Sequence, residues 1–158
     1  MNKIFIKIIV LFFIFSSSAC SYKPIFSEKE YDFEIEEIRL NGEKKINRII
    51  NNKLKFIKRT KKRGKNVYTI EIKSEKIIEI VSKDSKGDPL KFEMNILVEY
   101  NIINDGKNLL NNKIKKYNVY NNASDQFELE QTENIILKNL SESASEIIIS
   151  SIINLDDN

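Results

Sequence analysis

A single thiol, Cys20, stands at the end of an uncharged apolar run and directly after four small residues, Ser16, Ser17, Ser18 and Ala19. Upstream, Lys3 and Lys7 supply a short positive segment, and Ile8 to Phe15 carry no charge. This is the layout of a secretory signal peptide, too short and wrongly flanked for an ordinary membrane span. Small side chains beside a scissile bond suit a signal peptidase, and the residue after the cut is then a thiol. With no second cysteine, no intramolecular disulfide can form in the oxidising compartment that export implies. The other groups able to do chemistry are charged. Lys58, Arg59, Lys61, Lys62, Arg63 and Lys65 form a basic cluster around Gly64, which reads either as an anion-binding patch or as a solvated helix end. Asp84 and Asp88 share a turn but lack the further oxygen ligands and spacing of a calcium loop.

Ser17-Ser18-Ala19-Cys20 resembles the lipobox of bacterial lipoproteins, departing from it at Ser17, where an aliphatic residue is usual. The resemblance implies that residues 1–19 are removed and that Cys20 is acylated and becomes the N-terminus. The chain is then tethered to a membrane and faces the periplasm. The 139 residues from Cys20 onward suit one domain. The whole chain has 26 basic and 23 acidic residues, and without Lys3 and Lys7 the balance is 24 against 23. That gives no general case for nucleic acid binding. Histidine is absent, which removes the commonest general base and transition-metal ligand. Of the hydrolase arrangements only Ser–Lys or paired carboxylates then remain, and a phosphate-binding glycine loop is missing among the four glycines. The expectation is a protein without catalytic residues, metal or cofactor.

The elements that must position these groups are legible in the periodicity. Phe33 and Ile35, then Ile38 and Leu40, alternate with a slip at Glu36-Glu37, predicting a bulged or bent strand. Ile46, Ile49, Ile50, Leu54 and Ile57 predict an amphipathic helix over 44–58. Tyr68, Ile70 and Ile72, then Ile78 and Ile80, predict one long strand or two short ones. A turn follows at 83–89. Leu90, Phe92, Met94, Ile96, Val98, Tyr100 and Ile102 alternate strictly with Lys91, Glu93, Asn95, Glu99 and Asn101, with only Leu97 out of pattern. This predicts an antiparallel strand with one face on a core and one in water. Asn104-Asp105-Gly106 signals a hairpin into a strand over 109–120, with Ile114, Tyr117 and Val119 as its apolar residues. Ser124 or Asp125 caps a long terminal helix, continuous or interrupted near Ser141 to Ser145. The economical assembly is α+β: a two-layer sandwich of a mixed, mainly antiparallel four-stranded sheet with two helices on one face.

On that framework the chain resembles the LptE family of lipopolysaccharide-assembly lipoproteins, in its alphaproteobacterial form. Cys20-Ser21-Tyr22-Lys23-Pro24-Ile25-Phe26 is similar to the family's mature start, although Ser21 replaces a glycine. Gly87-Asp88-Pro89-Leu90-Lys91-Phe92-Glu93-Met94 resembles its glycine turn and following strand. Tyr117-Asn118-Val119 and Ser124-Asp125-Gln126-Phe127 resemble its entry to the last helix. The resemblance implies a non-catalytic outer-membrane lipoprotein that plugs and helps assemble the LptD β-barrel, one to one, and takes part in delivering lipopolysaccharide to the surface. It also implies lipopolysaccharide contact near the turn, where Lys83 and Lys86 are the nearest matches. A lysine ammonium suits a phosphate as a point charge. The alternative is a periplasm-facing carrier that holds an apolar ligand between helices and sheet.

Overall fold

The computed structural model describes residues 33–59 and 66–156, so Cys20, the signal-like segment and most of the basic cluster lie outside the described residues. Strand β1 (Phe33–Gly42) is followed by helix α1 (Lys44–Arg59), strands β2 (Asn66–Lys83), β3 (Pro89–Asn104) and β4 (Lys107–Asn121), and helix α2 (Gln126–Asp156). The sheet runs in the order β1-β2-β3-β4, with β1 parallel to β2 and the other pairs antiparallel. This is the expected α+β architecture. Among the described residues no helix is long and apolar enough to cross a membrane.

Alternation places the core. Tyr68, Ile70 and Ile72 of β2 lie opposite Ile102 and Tyr100 of β3 and share their face with Met94, Ile96 and Val98. Against them α1 sets Ile46, Ile50, Leu54 and Ile57, and α2 sets Leu137, Ala144, Ile148 and Ile152. Ile46, Ile50, Leu54, Met94, Ile96 and Ile148 have essentially no exposed surface, so the layer between helices and sheet is filled by branched side chains. The slip at Glu36-Glu37 is a register shift between Ile35 and Glu37, and it lets Ile38 face Ile70 on the inner side. Asp105 and Gly106 both have positive φ, 48° and 74°, as a two-residue hairpin turn requires.

Pairing and packing decide two points that periodicity leaves open. In β4 the inward residues are Ile114 and Tyr120; Tyr117 and Val119 point to the opposite face, 63% and 47% exposed. Register with β3 fixes this, because Ile114 pairs with inward Val98 and the odd-numbered positions must then face outward. Helix α2 also runs unbroken through Ser141 and Ser145. Both serines are fully buried and donate to carbonyls four residues back, Leu137 at 2.6 Å and Ser141 at 2.7 Å. Satisfied hydroxyls cost the helix little and leave it small enough to lie close on the sheet. At the N-terminus of α2, Asp125 Oδ1 accepts from the amides of Phe127 (2.7 Å) and Glu128 (3.3 Å), the expected cap.

Tyr120 ties β4 to α2 by donating to Glu133 Oε1 at 2.7 Å, and its ring lies 5.7 Å from that of Phe92. Burial, and then the neighbouring Glu133 carboxylate, push its phenol well above the ordinary value near 10. The folded state therefore keeps this phenol neutral when an unfolded tyrosine ionises. Its contribution is whole below about pH 10 and is lost as pH rises toward the folded value. Tyr120→Phe is expected to cost about 1–2 kcal/mol at neutral pH. The gap between variant and parent should narrow above about pH 10 in urea titrations followed by circular dichroism.

Candidate functional site

The sheet is longer than the layer that covers it. Strand β1 ends at Gly42, whose partner is Ser74, yet β2 continues for nine more residues to Lys83 before the chain turns into β3. Gly42 has a φ of 94°, and Glu43 donates to the Ser74 carbonyl at 3.0 Å as the chain leaves for α1. The buried Ser74 hydroxyl donates to Asn47 Oδ1 at 2.8 Å, and Asn47 Nδ2 donates to the Asn41 carbonyl at 3.0 Å. This small polar knot stops β1 and starts α1 at one level. Above it stands a β2–β3 hairpin, flanked among the described residues by β4 and the first turns of α2.

That projecting end carries apolar residues on both faces. On the helix side Ile78, Ile80 and Leu90 are 37%, 47% and 48% exposed. On the far side Ile77, Asn95 and Tyr117 lie in one cross-strand row, and Glu79, Glu93 and Val119 form the next. The expected solvated row is therefore not uniformly wet. Asn95 is 7% exposed, donates to Glu93 Oε1 at 2.8 Å, and leaves its own Oδ1 buried without a hydrogen-bond partner among the described residues. An orphan amide oxygen costs about 1–3 kcal/mol, a burden proteins carry mainly at sites kept for something other than stability.

The edge of β2 adds main-chain groups. Ser74 turns its carbonyl toward β1, so by alternation Lys76, Ile78 and Ile80 turn their N–H and C=O groups to the same side, where no strand follows among the described residues. Lys76 on the inner phase and a register shift after Ile80 are devices that blunt such an edge without removing its apolar character.

Lys83 closes β2 and Lys86 lies in the turn, so the structure brings the two expected anion contacts to the hairpin's end, both exposed. Asp84 shapes that turn. Its Oδ1 accepts from the amides of Lys86 and Asp88, each at 2.8 Å, and Gly87 takes a φ of 95°. With that oxygen committed to two amides, Asp84 serves the turn's geometry, and neither lysine side chain has an ion pair or hydrogen bond among the described residues. No group of three or more acidic, histidine or cysteine side chains there could hold a metal.

The lower half of the outer sheet face is different in kind. Arg39 reaches Glu37 at 2.8 Å and Glu71 at 2.9 Å, and Lys113 reaches Glu99 at 2.8 Å. The Arg39 guanidinium holds the Glu37 carboxyl below its usual range, and Lys113 does the same for Glu99. Arg39, Glu71, Glu99 and Lys113 line a hollow of about 510 Å³, and these charges largely satisfy one another. This lower face presents a polar surface; the hairpin end presents an apolar one.

No family model and no curated protein sequence matches the chain. Solved structures do match. The rare lipoprotein B of Shewanella oneidensis is 16% identical with a TM-score of 0.55, over 75% of this chain and 98% of that one. An uncharacterised lipoprotein B of Nitrosomonas europaea is 13% identical with a TM-score of 0.58, over 84% and 92%. A lipoprotein of Caulobacter crescentus gives 11% and 0.52, over 75% and 88%. The fold is one that bacterial lipoproteins use. At these identities the likeness concerns the fold and not the residues of the hairpin end.

Proposed function

We propose that this chain is a lipid-anchored outer-membrane subunit of the LptE kind. In this reading it plugs and helps assemble an LptD-type β-barrel and takes part in carrying lipopolysaccharide to the cell surface. The observation that carries the reading is the β2–β3 hairpin, exposed and apolar on both faces at Ile77, Ile78, Ile80, Val81 and Leu90. A flat partner can cover one face of a sheet. A two-faced apolar projection needs surroundings on both sides, as a barrel lumen offers. The lipoprotein fold, the lipobox-like Cys20 and the three family-like motifs support the same reading. Lys83 and Lys86 would then meet phosphate groups at the leading end, while acylated Cys20 holds the chain at the membrane.

A photo-crosslinking amino acid at Leu90 or Val119 tests this in living cells. The expected adduct contains a large outer-membrane barrel protein, and depletion of the chain lowers surface lipopolysaccharide. Adducts confined to soluble periplasmic proteins, with surface lipopolysaccharide unchanged on depletion, would overturn it.

A further inference from the structure

Helix α1 carries seven basic residues and no acidic one in its 16 positions, whereas the remaining 142 residues hold 19 basic and 23 acidic. Solubility does not require such segregation. Cations four apart, such as Lys44 with Arg48, also repel along the helix. The apolar stripe of Ile46, Ile50, Leu54 and Ile57 is buried in the core, which leaves Lys44, Lys45, Arg48 and Lys55 exposed on the outward side. Lys44, Arg48 and Lys55 have no ion-pair partner among the described residues. Lys53 does, at 3.8 Å from Glu142 on α2.

Beside these cations lies an apolar element. Phe56 is 64% exposed, and a groove of about 810 Å³ runs between α1 and α2 with Ile49 and Leu137 among its lining. Lys45, Arg48, Lys53 and Lys138 line it too, against one acid, Glu142. Cations rimming an aliphatic groove with a protruding phenylalanine match a surface that is anionic outside and hydrocarbon within. Nucleic acid is anionic too, but of the groove's lining residues Phe56 alone could stack on a base, whereas single-strand grooves hold successive bases on several rings, and Ile49 and Leu137 offer none.

We propose that the outward face of α1 docks on a bilayer containing anionic phospholipid, with the cations at the headgroups and Phe56 entering the interface. The contact is separate from the hairpin end and does not depend on a barrel partner. Its reach is set by screening, about 10 Å at 0.1 M salt, so it weakens as salt rises.

The chain has no tryptophan, so Phe56→Trp installs a single fluorescent reporter on this face. In the full chain, its emission is expected to shift to the blue on phosphatidylglycerol vesicles and to be quenched by brominated acyl chains. Neutral phosphatidylcholine vesicles, which an N-terminal anchor would bind as well, should leave the emission unshifted. Taking each basic residue as a roughly fivefold gain, Arg48→Glu with Lys55→Glu should weaken the anionic-vesicle response by at least about 30-fold. Circular dichroism of that variant should match the parent, since both positions are exposed. Equal emission on neutral and anionic vesicles, a response untouched by the charge reversals, or the same shift with single-stranded DNA would overturn the proposal.

Discussion

Gly42→Ala should lower stability by about 2–5 kcal/mol, the largest loss expected from adding a methyl group at the described glycines. Two costs combine. The φ of 94° is outside the range that side-chain-bearing residues adopt readily, a cost of about 1–2 kcal/mol. A Cβ there would also run into the Ser74 carbonyl oxygen, and backbone cannot step aside as a flexible side chain can. Relief needs β1 to move off β2, which costs about 1–3 kcal/mol more and loosens the knot of Glu43, Asn47 and Ser74. Gly87→Ala is the internal control. Its φ is nearly the same at 95°, but nothing lies within 4 Å of the added carbon. It should therefore show the dihedral cost alone, about 1–2 kcal/mol. Urea denaturation of the two variants separates the costs, and equal losses would show that the close approach at Ser74 is not what constrains Gly42.

The fold was written plainly where one face of an element is apolar and the other is not. Strand β3 shows this best, with Phe92 through Ile102 alternating inward as their spacing predicts. Where both faces carry apolar residues the period remains but its phase is lost. Strand β4 offers Ile114 and Tyr120 on one side and Tyr117 and Val119 on the other, and only pairing with β3 decides between them. The same ambiguity hid the candidate site, because Ile77, Ile78, Ile80 and Val81 read as ordinary strand residues until β1 is seen to stop at Gly42, opposite Ser74. A strand's length is local information, but the length of its neighbour is not. Helix α2 is a different case. Ser141 and Ser145 look like interruptions in one dimension, yet they occupy the most buried stripe of the helix because their hydroxyls bond along it. Asn95 also gave no signal, since an asparagine on an outward position reads as solvated. Its burial follows from Ile77 and Tyr117 lying on either side across three strands.

Ile80→Glu combined with Leu90→Glu should leave the isolated chain as stable as before, within about 0.5 kcal/mol. The same pair should weaken its complex with a barrel partner by about a hundredfold or more. The separation follows from exposure. Both side chains are nearly half open to water on the helix-side face of the hairpin, beyond the filled core, so a carboxylate there keeps its hydration in the free protein. In a surrounded complex that hydration is lost. Placing an unpaired charge in a desolvated interface costs about 2–5 kcal/mol, which is where the hundredfold estimate comes from. Lys107→Glu, at the opposite end of the sheet where β3 turns into β4, also introduces an acid and should change neither quantity. The readouts are the denaturation midpoint of the purified chain, recovery of the barrel with an affinity-tagged copy, and surface lipopolysaccharide in cells that depend on the variant. If the double variant unfolds early, the hairpin end belongs to the stable core and its exposed residues are structural. If it folds normally and still recovers the barrel in full, the two apolar faces of the hairpin are not the contact, and the plug must be held by another surface.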